Sequence, residues 1–408
     1  MYLIKLLRRY YNKVIQSIAF YPAIIAIGFL LFSWVMLKID FSPWGKDIKA
    51  SLNWLSLKDA NTARTITATI AAGIISLTVF SFSMVMIVLN QAASQMSNRV
   101  LTSMIGNRFQ QVVLGCYIGT TVYALFLLST IRNISDGIAV PALSIYLLIL
   151  LTVVNIFLFI YFLDYVTQMV KYETVIDRVK KQTVDTMRRD YTELKEENTT
   201  WNELPYTEVR ADESGYFQSF NEALLLEIAC KHDLYISFLY KQGTYLIKNV
   251  SFIKVHSKKL TEAQRIKEIL ASIDFFNGHP INKNADYGLK QLSEIAIKAL
   301  SPGINDPGTA VISLQALSDA LAFRLYHKLP SVRYDIHKTP RIFVPSSSFH
   351  ELFEDCIRPI WDYGKHDRYI QQEMLNMIKQ LNEADFQNYY TEIFNEWLNT
   401  IQRQSKAS

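Results

Sequence analysis

The first 168 residues of this chain are short of charge, and shortest of acids. Four runs, Val14–Leu37, Thr65–Asn98, Phe109–Ile131 and Gly137–Leu163, hold no Asp, Glu, Lys or Arg over 24, 34, 23 and 27 residues. About 20 apolar residues in a helix cross a bilayer core, and a helix satisfies its own backbone groups there. Four such runs so close together would leave a soluble fold no surface for water. The chain also lacks a cysteine framework. Cys116, Cys230 and Cys356 make three, an odd count at no metal-ligand or redox spacing. The seven histidines form no zinc signature, so the sequence leaves any metal unknown. No glycine-rich phosphate loop, nucleophile elbow or kinase signature occurs. No nucleophile–base pair stands at a recognisable spacing, so the reading leans away from an enzyme and names no catalytic residue and no cofactor. A concentrated basic stripe is missing too, and nucleic acid is not an expected partner.

What the first part does hold is positive charge. Twelve Lys and Arg stand against five acids before residue 169, a net +7, and the remainder is −2. Their positions set the expected orientation. Lys5, Arg8, Arg9 and Lys13 precede the first run, Arg99 and Arg108 separate the second from the third, and Lys171, Arg178, Lys180 and Lys181 follow the fourth. All three segments fall on one side, the cytoplasmic one, so both termini are expected inside. The first run is too long for a cleavable secretory signal. On the outer side, Trp44 and Trp54 with Ile48, Leu52 and Leu55 fit either a short amphipathic surface helix or an ordinary loop.

The second run is overlong. At about 1.5 Å per residue, 34 residues make a rod near 50 Å, against a core of about 30 Å. Thr65, Thr69, Ala72, Ser76, Ser83, Asn90, Ser94 and Ser97 recur in steps of three, four or seven, on one helical face. Such a stripe suits close helix packing or a wetted wall along a conduction path in an oligomer. No ionisable residue lies deep in any span, which argues against a proton relay or an ion-coupled transporter.

Past Asp164 the fourth helix is expected to continue, because Met169, Tyr172, Ile176, Val179 and Thr183 keep three–four spacing. Arg188–Ser214 turns polar, and the domain boundary falls near Thr192–Pro205. Beyond it, Asn221 opens a helix, Leu234–Tyr240 and Thr244–Val255 read as a hairpin through Lys241-Gln-Gly243, and Thr261 with Gln264 reads as a capping box. Asn277-Gly278 reads as a turn, Leu289–Leu300 as an amphipathic helix, and Arg341–Val344 as a strand. The last sixty residues read as two or three helices. The expected architecture is four transmembrane helices (1–168), a helical extension and linker (169–205) and a mixed α/β cytoplasmic domain (206–408).

One local motif stands out, Ser301-Pro-Gly-Ile-Asn-Asp-Pro-Gly-Thr-Ala310. Pro302 and Gly303 stop one helix, Asp306 caps the next, and Pro307 suits its first position. It reads as a well-capped corner. The same geometry offers backbone donors to a small anionic ligand at Asn305, Asp306 and Thr309, although Asp306 already places a carboxylate there. A cation held by Asn305, Asp306 and Asp286 or Glu294 is a further option.

The decapeptide, with Ile295–Leu300 before it, resembles the signature of a bacterial predicted-membrane-protein family known only as a domain of unknown function (number 2254). The resemblance extends to Ala92–Arg99, Leu114-Gly-Cys-Tyr-Ile-Gly119 and Gly215-Tyr-Phe-Gln218, and covers most of the chain. It implies four N-terminal spans and a cytoplasmic C-terminal domain, and brings no activity with it. Members of that family often carry an Arg and a Gln-Asp pair ahead of the Phe-Gly that corresponds to Tyr287-Gly288. This chain has His279 and Lys283-Asn284 there. Together these features favour an oligomeric, channel-like protein of the bacterial inner membrane, with the lipid bilayer and further copies of itself as partners. The stripe Thr69, Ser76, Ser83, Asn90 and Ser94 would line the pore or pack the helices. The rival reading is a membrane-anchored regulatory or scaffold protein whose soluble part binds an anion or a partner.

Overall fold

The computed structural model describes residues 19–51, 57, 59–95, 108–131, 140–169, 171–194, 204–258, 262–275, 278 and 280–407. The chain divides into two compact units that meet in sequence between Lys171 and Tyr172.

The first unit is helical. Its elements are α1 (Phe20–Phe41), α2 (Pro43–Ser51), α3 (Ala60–Gln95), α4 (Arg108–Thr130) and α5 (Ala142–Met169). All but α2 are long and apolar enough to cross a membrane. The four candidate spans thus coincide with the four charge-free runs, except that residues 14–18, 96–98 and 137–139 lie outside the described part. α2 starts beside Trp44 as the surface-helix reading expects, while Leu52, Trp54 and Leu55 lie outside the described residues.

Close approach of α1 and α4 explains the Gly115–Gly119 pair. A Cβ on Gly115 would stand 2.5 Å from Ile25 Cδ1, and one on Gly119 2.6 Å from Phe29 Cδ2. Glycines four apart clear one side of a membrane helix so that a neighbour can pack on its backbone. Buried polar groups then tie the helices together. Asn155 Nδ2 donates to Thr120 Oγ1 at 2.8 Å, and Tyr123 donates to the Ser144 carbonyl at 3.2 Å. Arg64 donates to the last carbonyl of α4's turn, Ile131 O, at 3.1 Å. At the other end of α1, the fully buried Asp40 carboxylate pairs with Lys49 Nζ at 2.8 Å and accepts the Ser144 N–H at 2.8 Å. One acid thereby joins α1, α2 and the first turn of α5, where the helix dipole favours it.

The fourth helix continues past Asp164 as expected, but not into Tyr172 and beyond as one rod. α5 ends at Met169, Lys171 is not helical, and a separate α6 (Tyr172–Asp190) begins. α6 belongs to the second unit, where Val175, Ile176, Val179, Thr183 and Met187 are buried. Its apolar stripe packs against α9 (Asp286–Ala299) and α10 (Pro307–Arg324). That packing governs its course, and the three–four spacing across the break reflected two helices with separate partners. The segment 169–205, expected as extension and linker, thus includes a helix of the second unit.

The rest of the second unit comprises β1 (Thr192–Glu193), β2 (Tyr206–Arg210), β3 (Gly215–Phe220), α7 (Glu222–Lys231), β4 (Tyr235–Phe238), β5 (Tyr245–Leu246), β6 (Ser251–His256), α8 (Ala263–Ala271) and β7 (Ile273–Phe275) ahead of α9. After α10 follow β8 (His327–Lys328), β9 (Val332–Tyr334), β10 (Pro340–Phe343), α11 (Phe349–Gly364), α12 (Arg368–Ala384) and α13 (Thr391–Ala407). A five-stranded sheet runs β2-β6-β4-β10-β9, with β10 parallel to β4 and the other pairs antiparallel. A second sheet runs β5-β3-β7. The 234–255 hairpin is therefore only half as expected. β4 pairs β6, but Tyr245–Leu246 leaves for β3, so the connection is a loop carrying a strand of another sheet. Phe217, Phe238 and Phe252 fill the core between the sheets, the first two rings stacked 4.9 Å apart. α8 begins one residue past Glu262, which makes no side-chain cap, and Thr261 of the expected capping box lies outside the described residues. The capping box forms instead at Ser348 and Glu351, ahead of α11.

Candidate functional site

The stripe of the second span runs along α3. Ala63, Thr67, Ala71, Ile74 and Ser81 turn inward and are buried. Thr65, Thr69, Ala72, Ser76, Ser83 and Asn90 are all exposed. Among the described residues, the stripe thus lies in the broad part of α3 that no other element covers, together with Val79, Phe82 and Ile87. Thr65 and Ser76 return their hydroxyls to the carbonyls of Asn61 and Ala72. Ser83 and Asn90 have no side-chain hydrogen bond among the described residues. Ser94 lies in the helix, and Ser97 lies outside the described residues.

The Ser301–Ala310 corner folds as its sequence dictates. Asn305 takes a left-handed φ of 49°, which asparagine tolerates. Asp306 caps α10, accepting the Thr309 N–H at 3.1 Å on Oδ1 and the Thr309 hydroxyl at 2.6 Å on Oδ2. Pro307 has no N–H, and the Ala310 N–H goes to the Asp306 carbonyl. Thr309 therefore spends its hydroxyl on the cap carboxylate rather than on backbone donors. Asp286, one suggested cation ligand, sits at the far end of α9, about 20 Å along the helix from the corner, and accepts the Tyr191 hydroxyl at 2.9 Å. Burial, together with this carboxylate, pushes the Tyr191 hydroxyl pKa well up. Among the described residues no group of three His, Cys, Asp or Glu is placed to hold a metal. Asp306→Ala should destabilise the second unit by about 0.5–2 kcal/mol, the usual worth of an N-cap. Thermal unfolding of the purified chain measures it, and Asp306→Ser should restore most of the loss.

A second constellation was only partly visible in the sequence. Gln218 of β3 and Tyr287 of α9 are both buried, and the tyrosine donates to Gln218 Oε1 at 3.1 Å. Gln218 Nε2 donates to the Gly278 carbonyl. Asn284 donates to the Gln242 carbonyl at 3.2 Å and accepts the Asp286 N–H at 3.0 Å. Gly243 has φ +92°, and a Cβ there would stand 2.7 Å from the Tyr287 hydroxyl. The Gly215–Gln218 and Tyr287-Gly288 segments, far apart in sequence, are thus one hydrogen-bonded junction between sheet and helices. His279 lies outside the described residues. Lys283 and Asn284 line the rim of an adjoining cleft.

Four candidate spans followed by a mixed helix–sheet unit define a multi-pass membrane protein with a folded C-terminal part. The family described as predicted membrane protein (DUF2254) matches residues 15–380, and the chain belongs to it. It is 24% identical over 327 residues to uncharacterized proteins of Mycobacterium tuberculosis and Mycobacterium bovis. The alignment covers 78% of this chain and 63% of those relatives, so the chain spans less than two thirds of their length. No solved structure matches it.

Proposed function

We propose that this protein is an oligomeric, channel-like protein of the bacterial inner membrane, with both termini in the cytoplasm. Copies of α3 surround a polar path, and the second unit gates the assembly or holds it together. The observation that carries this reading is the open stripe. In a lone chain, Thr65, Thr69, Ala72, Ser76 and Ser83 would face lipid across the core, and Asn90 would sit at its cytoplasmic border. Hydroxyls that bond their own helix tolerate this, but among the described residues Ser83 and, at the border, Asn90 have no such partner, and an unpaired polar group facing hydrocarbon is costly. A second copy, or water inside a ring of copies, satisfies them. The basic segments flanking the spans support the orientation.

Native mass spectrometry of the detergent-purified chain, followed by liposome ion flux, tests the proposal. A closed ring of four or more copies is expected, with flux reduced severalfold by Ser83→Leu and shifted toward cations by Asn90→Asp. A monomer, or flux identical in both variants, overturns it.

A further inference from the structure

The cleft beside the Gln218–Tyr287 junction has a volume of about 790 Å³, within the range of small-molecule sites. It is open to solvent and lies wholly inside the second unit. Its charges are unequal in what they still offer. Asp190 and Glu222 both line it, but neither carboxylate is free. Asp190 accepts two N–H groups of Arg189, at 2.6 and 2.7 Å. Glu222 accepts Arg333 Nε at 2.9 Å, and Arg333 also donates to the Pro330 carbonyl. Lys283, on the same rim, has no side-chain partner among the described residues. Among the described residues, the lining therefore presents one ammonium without a partner. The backbone beneath it is held firmly: the Lys283 N–H donates to the Pro280 carbonyl at 3.0 Å. The neighbouring Asn284 is buried and bonded on both sides of its amide. Phe220 and Tyr334 also line the cleft; the Phe220 ring stacks on Phe238 at 5.3 Å, and Tyr334 is 46% exposed.

We propose that this cleft binds a small organic anion built on a flat ring, of the mononucleotide class. Its phosphate sits against Lys283, and its ring packs on Tyr334 and Phe220. A charge-assisted contact fixes the anion, and ring stacking supplies apolar burial with defined geometry. The bonded Asn284 loop limits the ordering cost of binding. At the Ser301–Ala310 corner, the anion site suggested by sequence, Asp306 already takes the Thr309 N–H and hydroxyl. The cleft proposal stands whether or not α3 lines a pore.

Calorimetric titration of the full detergent-purified chain with adenosine monophosphate, and separately with inorganic phosphate, tests it. Adenosine monophosphate should bind at least tenfold more tightly than inorganic phosphate. Lys283→Gln should weaken nucleotide binding at least tenfold and leave the melting temperature in place, because the side chain is exposed, and Lys283→Arg should retain it. Tyr334→Ala should weaken the nucleotide and leave inorganic phosphate unchanged. No binding of adenosine monophosphate at millimolar concentration overturns the proposal. So does affinity unchanged in Lys283→Gln, or inorganic phosphate binding as tightly as the nucleotide.

Discussion

Replacing Asp40 with Ala should destabilise the membrane unit by about 3–5 kcal/mol, the cost of removing one partner from a buried ion pair. The Asp40 side chain is fully buried and that of Lys49 is 13% exposed, so the ammonium left behind has little water to turn to. The change also strips the Ser144 N–H of its acceptor at the start of α5, which adds the penalty of an unsatisfied buried donor. Asp40→Asn should cost less, because an amide oxygen still accepts that N–H. The double variant Asp40→Asn, Lys49→Met should recover much of what either single change loses, since no lone charge stays buried. Thermal unfolding in one detergent, with the wild type, both Asp40 variants, Lys49→Met and the double variant side by side, measures the set. A full-sized loss in the double variant would show that the pair does not act as a pair.

Gly288→Ala should be the most disruptive conservative change in the second unit. The added Cβ would stand 2.8 Å from Thr183 Cβ and closer still to its hydroxyl, so rotating the threonine does not clear it. α6 and α9 would have to separate. Overpacking of this kind costs about 1–3 kcal/mol, or several degrees of melting temperature for a unit of this size. Thr183→Gly in the same chain reopens the space and should restore part of the loss, less the helix penalty of glycine. Equal melting temperatures for the wild type and Gly288→Ala would mean that the helices are less closely packed than described.

The spans were legible because a run of more than twenty uncharged residues has few alternatives. The α10 start was legible nearly atom by atom, because Asp306 and Pro307 each favour one position at a helix N-terminus. The strands were harder. Tyr245 and Leu246 carry β-forming side chains in the expected place, but nothing local says that their partner is Gly215–Tyr216 rather than the strand ten residues away. The break before Tyr172 was hidden because two helices with different partners can share one spacing. Of the candidate sites, the α3 stripe could be read from periodicity, while which side of the helix the rest of the chain covers could not. The cleft was invisible for a simpler reason. Its lining comes from the end of α6, the β3–α7 junction and the segments before α9 and around β9, and no spacing in the sequence links them. Asp40 looked like an ordinary acid at the end of a span, since its partners, Lys49 and Ser144, are 9 and 104 residues away.

That last separation has a bearing on biogenesis. Asp40 leaves the ribosome long before Ser144 exists. At typical elongation rates of about 5–20 residues per second, the interval is on the order of ten seconds. During it, the carboxylate can meet Lys49 and lipid headgroups but not the helix start that completes its shell. The first span therefore enters the bilayer with one end unfinished, and only arrival of the fourth closes it. A chain truncated before Ala142 keeps the first three spans and loses this closure, which makes the early hydrophobic segments dependent on the last one for their final seating.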